Sequence, residues 1–123
     1  MSLTLDENNA TYQIRSYRPG FLQVNELTFH HSIVITADTL IDHWPPQSLN
    51  ELQIDHLTIA LEKRPGILLI GTGSTLTFPP IALYGHAINQ GISVEIMNTH
   101  AACRTYNILV SEGRSVMAAL IIR

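Results

Sequence analysis

The pattern of apolar and polar positions in the first third of the chain is typical of short β-strands. Four alternating or apolar runs are separated by turn residues, and these runs lie at 12–17, 21–25, 27–29 and 31–36. Pro19-Gly20 and Asn25-Glu26 supply turns between them. The positions 33–35 are all apolar, which is typical of a strand covered on both faces. We therefore predict a small N-terminal antiparallel β region, with 33–35 joining a larger sheet.

Beyond Ile54 the pattern alternates between amphipathic helices and largely apolar strands. Ile54, Leu57 and Leu61 recur at the spacing of one helix face, and Pro65-Gly66 ends this helix. Two further helical segments alternate with three apolar strands, which we place at 67–70, 92–97 and 116–122. Such an order requires a central sheet with crossover helices. The sequence therefore predicts a single α/β domain over residues 1–123.

Two segments between these elements are expected to pack against the core. Trp44-Pro45-Pro46 interrupts any regular element, because proline lacks an N–H donor and restricts the residue before it. Trp44 is expected to anchor this stretch. The second helix is predicted to begin near Pro79-Pro80, since proline is tolerated in a first turn. Its buried stripe is predicted to consist of Ile81, Tyr84 and Ile88.

Composition and charge narrow the classes of function. Of 123 residues, 46% are hydrophobic and 14% are charged, and the formal net charge is −3. Lys63 is the single lysine and the six arginines are spread along the chain, so we expect no nucleic-acid partner. The apolar runs fall far short of the roughly 20 residues of a membrane-spanning helix. A single cysteine and a polar start of the chain favour a reducing compartment, so the predicted location is cytoplasmic.

The first candidate for ligand binding is the turn Gly71-Thr72-Gly73-Ser74, directly after a predicted buried strand. Glycines allow the backbone to approach a ligand closely, and N–H groups presented by such a turn bind anions. The turn lacks the third glycine of a dinucleotide fingerprint, because that position is Leu76, and it lacks the lysine of a P-loop. It is therefore either an anion-binding loop or an ordinary tight turn.

The second candidate is a polar face of the third predicted helix, which begins at Asn98 or Thr99 and runs to about residue 111. His100, Arg104 and Asn107 share this face. The residues predicted to face the core are Ala102, Tyr106 and Leu109. The polar face either binds a carboxylate or phosphate through Arg104 or is an ordinary solvated surface.

Nucleophilic and metal chemistry find little support in the sequence. Cys103 lies close to His100 along the helix, but its apolar surroundings predict a buried, unreactive thiol. His30 and His31 are neighbours on a strand and are expected to face opposite sides of it. His43 has no partner at ligand spacing, so we expect the histidines to stay apart. The sequence thus predicts no catalytic set, no metal site and no cofactor.

Motifs in the second half resemble those of one small protein family. They include Leu68-Leu69-Ile70-Gly71-Thr72-Gly73, Phe78-Pro79-Pro80, Thr99-His100-Ala101-Ala102-Cys103-Arg104-Thr105-Tyr106-Asn107 and Glu112-Gly113-Arg114. The family contains bacterial and archaeal proteins of unknown function, adipogenesis-associated Mth-type domain proteins and mitochondrial complex I assembly factor three. The resemblance implies a three-layer α/β fold around a central mixed β-sheet. For the mitochondrial relative it implies a non-enzymatic role through protein contacts.

Two functions remain open. The resemblance and the missing catalytic set favour an assembly or interaction factor with an unidentified protein partner, and self-association stays open. The alternative is a small-molecule or anion-binding protein, or an enzyme, that uses the turn 71–74 with Thr99, His100, Arg104 and Asn107. If strands 67–70 and 92–97 are parallel neighbours, their exits share one rim of the sheet, where a helix N-terminus and Arg104 favour an anion.

Overall fold

A three-stranded antiparallel sheet opens the described part of the chain, residues 11–123 of a computed structural model. Its strands are β1 (Ile14–Arg18), β2 (Phe21–Val24) and β3 (Leu27–Phe29), in the order β1-β2-β3. The two turns contain Gly20 with φ 83° and Asn25 with φ 50°, a backbone region that glycine and asparagine tolerate best. The predicted N-terminal antiparallel β region is confirmed.

A second sheet has five strands of mixed direction. These strands are β4 (Ile33–Ile35), β5 (Leu40–Ile41), β6 (Ile67–Gly71), β7 (Ser93–Met97) and β8 (Val116–Leu120). Their spatial order is β5-β4-β8-β6-β7. Strand β6 runs parallel to both β7 and β8, whereas β4 runs antiparallel to β8 and β5. The four apolar runs predicted to share one sheet do so, and the central mixed sheet is confirmed.

The helices of residues 11–123 are short, with one exception. The three α-helices are α1 (Thr58–Lys63), α2 (Gly85–Asn89) and α3 (Thr99–Ser111). Single 3-10 turns cover Leu49–Glu51, Ile54–Leu57 and Ile81–Leu83. Asn98 caps α3, since its side chain accepts a hydrogen bond from the N–H of Ala101 at 2.8 Å. None of the helices in this part of the chain has the length and apolar character that crossing a bilayer requires.

Side chains of β8 alternate between two cores on opposite faces of the central sheet. On one face, Ala118 and Leu120 pack with buried residues of α3 and of the small sheet. On the other face, Met117 and Ala119 pack with Trp44 and with buried residues of α1 and α2. The central sheet is thus the middle of three layers, as predicted.

The expectations for the two connecting segments had opposite outcomes. Trp44 is buried and its Nε1 donates to the carbonyl of His56 at 3.0 Å, which confirms it as an anchor. The predicted buried stripe of the second helix is wrong, because Ile81 and Ile88 are exposed. A 3-10 turn ends at Leu83 and α2 begins only at Gly85, so a spacing of 3.6 residues per turn does not hold across this segment.

Candidate functional site

The carboxyl ends of β6 and β7 lie side by side. This arrangement is the condition under which the turn 71–74 and the start of α3 share one rim of the sheet. The two strands are parallel neighbours, with Gly71 opposite Met97. Beyond them, the N–H of Thr72 donates to the carbonyl of Met97 at 2.9 Å. The turn 71–74 and the first turn of α3 therefore meet at one edge of the sheet.

Thr99 connects the turn 71–74 to α3 through hydrogen bonds that use several backbone groups of this rim. Its buried Oγ1 accepts a hydrogen bond from the N–H of Gly73 at 2.8 Å and donates to the carbonyl of Ile121. Its own N–H donates to the carbonyl of Gly73 at 2.8 Å. The N–H groups of Gly73 and Thr99, which an anion at the rim needs, thus already have protein partners.

Close packing accounts for both glycines of the turn. A Cβ atom at Gly71 would lie 2.9 Å from Thr99 Oγ1 and 3.0 Å from Leu120 Cδ2. Gly73 has φ 99°, and a Cβ atom there would lie 3.0 Å from the carbonyl oxygen of Arg123. Each position requires glycine for reasons of backbone geometry and space, without any ligand.

The turn and the polar face of α3 line two different cavities. The turn lines one of about 250 Å³, in which the Thr72 hydroxyl donates to the carbonyl of Thr75 at 2.8 Å and Ser74 is exposed. His100 and Arg104 do not line this cavity. The structure therefore does not bring Gly73 and Arg104 to one pocket, and anion binding by the turn stays a prediction.

The polar face of α3 lines a cavity of about 190 Å³ between the helix and β1. We call it the arginine cavity, because Arg15 of β1 and Arg104 of α3 both line it, together with His100. The residues around it include no aspartate or glutamate. Within residues 11–123, neither arginine forms an ion pair. Sequence analysis identified Arg104 but missed Arg15, since only packing brings β1 beside α3.

Two weakly acidic groups in the arginine cavity remain protonated. Cys103 is buried, and burial raises the pKa of its thiol to about 12. Burial, with a smaller contribution from Cys103, also raises the pKa of Tyr17. The Tyr17 ring meets the His100 ring edge-on, with 6.5 Å between centroids. Because both groups stay neutral near pH 7, neither offsets the positive charge of Arg15 and Arg104.

Asn107, predicted as a binding residue, has structural partners. Its Oδ1 accepts from the N–H of Ile14 at 2.9 Å, and its Nδ2 donates to the carbonyl of Ile14 at 2.7 Å. The pairing of β1 with β2 shifts register between Ile14 and Ser16, which leaves backbone groups of β1 without ladder partners. The Asn107 amide supplies those partners and holds β1 against α3.

One cluster of polar side chains was missed by the sequence analysis. His31 Nε2 donates to Asp42 Oδ1, and His43 Nδ1 lies 3.4 Å from the same oxygen. The two imidazole rings stack with their centroids 3.8 Å apart. The expectation that the histidines stay apart is wrong for this pair. The spacing of these residues along the sequence does not predict the cluster, because the cluster depends on how β4 and β5 pair.

The fold and these surfaces define a small three-layer α/β domain with an arginine-lined cavity between α3 and β1. The chain belongs to the family described as protein of unknown function, DUF498/DUF598, whose model matches residues 14–121.

Several relatives align with almost the whole chain, and two of them show the range. The 13 kDa major membrane protein of Francisella tularensis is 29% identical over 122 residues, which is 98% of this chain and 99% of the relative. The NADH dehydrogenase (ubiquinone) 1 alpha subcomplex assembly factor 3 of Danio rerio is 28% identical over 123 residues, which is 98% of this chain and 70% of the relative.

Solved structures agree with this assignment. A protein of Xanthomonas campestris is 37% identical and superposes with a TM-score of 0.83 over 99% of this chain and 92% of its own. A Bordetella pertussis protein described as a Mth938-like domain is 28% identical, with a TM-score of 0.81 over 92% of this chain and 87% of its own. The predicted membership of the Mth-type family is confirmed.

Replacing Asn107 by alanine is expected to lower the free energy of unfolding by about 1–3 kcal/mol, because the N–H and carbonyl of Ile14 lose their partners at a partly buried position. Urea denaturation followed by circular dichroism measures this loss. Arg104→Ala, at an exposed position one turn earlier, is the matched control and is expected to change stability by less than about 0.5 kcal/mol. Equal effects of the two substitutions contradict the structural role of Asn107.

The Cys103 thiol is expected to react with a disulfide reagent much more slowly in the native protein than in the urea-unfolded chain. Burial limits access, and the pKa of about 12 leaves little thiolate at mildly alkaline pH. The unfolded thiol ionises near pH 8.5 while the native thiol stays protonated. The unfolded chain therefore gains stability relative to the native protein as pH rises above about 8.5, and the free energy of unfolding falls progressively. Rapid native labelling, timed by absorbance, contradicts this expectation.

Proposed function

We propose that this chain is a non-catalytic interaction protein that helps to assemble or stabilise another protein or complex. The supporting observation is an exposed apolar segment between residues 76 and 88. Its four large exposed side chains are Leu76 at 47%, Phe78 at 68%, Ile81 at 65% and Ile88 at 44% exposure. Four large apolar side chains are thus exposed within one short segment of the chain, and exposed apolar surface is typical of protein interaction sites.

The backbone of the apolar segment supports the same proposal. Pro79 is buried and lies between the exposed Phe78 and the exposed Pro80-Ile81. It attaches the segment to the body of the protein, and two consecutive prolines restrict the backbone between Phe78 and Ile81. A partner therefore binds side chains that are already positioned, at a low cost in conformational entropy.

The relatives point in the same direction. Proteins named assembly factor 3 occur among the matches in fish, fly and mammals. The zebrafish protein aligns with 98% of this chain. This chain therefore corresponds to the domain that it shares with those proteins. The correspondence supports an assembly role that the domain itself performs.

Replacing Phe78 and Ile81 together by serine is expected to abolish capture of a specific partner from the native cells, because the exposed apolar contact is lost. Capture of parent and variant, quantified by mass spectrometry of cross-linked complexes, measures this. Leu27→Ser is the matched control, since Leu27 is a large exposed apolar residue on β3 of the small sheet. A partner set that is identical for the parent and both variants contradicts the proposal.

A second candidate function is anion binding in the arginine cavity. Arg15, Arg104 and His100 line it without any carboxylate, and a guanidinium binds a carboxylate or phosphate through two parallel hydrogen bonds. A volume of about 190 Å³ suits one small anionic group of a metabolite or of a partner side chain. This candidate keeps Arg104 and His100 of the original hypothesis and replaces the turn 71–74 by Arg15.

The double variant Arg15→Ala, Arg104→Ala is expected to weaken binding of inorganic phosphate or succinate at least about tenfold, the cost of losing charge-assisted hydrogen bonds. Chemical-shift titrations measure the dissociation constants of parent and variant. Arg114→Ala is the matched control, because Arg114 is exposed and lines a different cavity. The absence of binding to the parent, or equal binding by the double variant, contradicts this candidate.

A further inference from the structure

His31, Asp42 and His43 offer one ligand atom each within a small volume. The two imidazole nitrogens and the carboxylate oxygen all lie within 4.8 Å of one another. Zinc bonds of about 2.0–2.1 Å in a tetrahedron separate the ligand atoms by roughly 3.4 Å, so modest side-chain rotations bring these three atoms onto one ion. We propose that His31, Asp42 and His43 bind one divalent transition-metal ion of the zinc class.

The pairing of β4 with β5 places two of the ligands. Val34 is opposite Ile41, and beyond the strands the N–H of Trp44 donates to the carbonyl of Ser32 at 2.8 Å. His31 and Asp42 therefore lie just beyond the paired ends of β4 and β5. Ser32 and Trp44 are both buried, so each ligand is attached to a backbone that the core holds in place. Ligands on a supported backbone need little reorganisation when an ion binds.

The backbone of His43 brings in the third ligand. In a regular strand, Asp42 and His43 face opposite sides. His43 instead has φ 58°, a left-handed conformation that histidine seldom adopts. Its N–H donates to Asp42 Oδ1 at 2.8 Å, and its ring stacks on that of His31. These two contacts hold His43 in an unfavourable backbone conformation, and in that conformation both imidazoles face the same carboxylate. Unfavourable backbone conformations recur at functional sites.

The donor set selects the class of ion. Two imidazole nitrogens and one carboxylate oxygen suit Zn²⁺, Ni²⁺ or Cu²⁺, whereas Mg²⁺ and Ca²⁺ prefer oxygen ligands throughout. Asp42 and His43 are exposed, so the remaining coordination positions are open to water or to a partner side chain.

Chelator-treated protein without a purification tag is expected to bind one Zn²⁺ ion per chain in a calorimetric titration, and to show no heat with Mg²⁺. Asp42→Asn and His43→Asn are each expected to weaken Zn²⁺ binding by at least about tenfold, because each removes a ligand. Both replacements suit their positions, since asparagine has the shape of aspartate and tolerates a positive φ. His86→Ala is the matched control, because His86 is an exposed histidine on α2.

Imidazole nitrogen resonances of the parent protein provide a readout that does not depend on the variants. Zn²⁺ is expected to shift those of His31 and His43 and to leave those of His86 unchanged. Circular dichroism verifies that each variant is folded. The proposal is overturned if the parent binds no Zn²⁺, if the shifts fall on other histidines, or if folded His43→Asn binds Zn²⁺ as tightly as His86→Ala does. In those cases the cluster is only an ion pair between histidine and aspartate.

Discussion

The burial of β8 and β6 on both faces is the constraint on which the remaining structure depends. All five residues of β8 are buried, and β6 is buried at every position except its partly exposed first residue. Backbone groups placed so far from water must find partners within the sheet, so β8 requires β4 on one side and β6 on the other. Layers on both faces are then obligatory. The small sheet with α3 supplies one, and α1, α2 and the Trp44 segment supply the other.

At the edge where β6 and β7 end, the protein satisfies several of its own polar groups. Parallel β6 and β7 deliver the turn 71–74 and the N-terminus of α3 to one edge, where ligands commonly bind. The Thr99 hydroxyl fills the space between them and pairs with Gly73 and Ile121. Three other surfaces offer accessible groups: the arginine cavity, the apolar segment 76–88 and the cluster of His31, Asp42 and His43 beside the β4–β5 edge. They involve different elements, so each can be altered without the others.

Sequence patterns predicted an element correctly where residues close along the chain determine its structure. Continuous apolar runs identified β4, β6 and β8, because two-sided burial leaves no polar alternation. Strand β7 lies at the edge of the sheet and keeps Ser93 and Glu95 exposed. The start of α3 at Asn98 or Thr99 was recognisable, because a short polar side chain there can accept from an N–H of the first turn, and Asn98 is the residue that does so. The same approach failed for Ile81 and Ile88. A segment broken into a 3-10 turn and a single short helix has no continuous periodicity, so apolar spacing there does not report burial.

By itself the sequence determined every strand of residues 11–123 except β5, the position of α3, the buried state of Cys103 and the family. Tertiary structure alone decided which polar groups meet. Asn107 pairs with Ile14 across 93 positions of chain, and the same contact between α3 and β1 places Arg15 beside Arg104. His31 meets His43 only through the β4–β5 pairing and the positive φ of His43. Periodicity encodes the geometry of a few neighbouring residues, whereas register and packing between distant segments depend on the contacts of the whole fold.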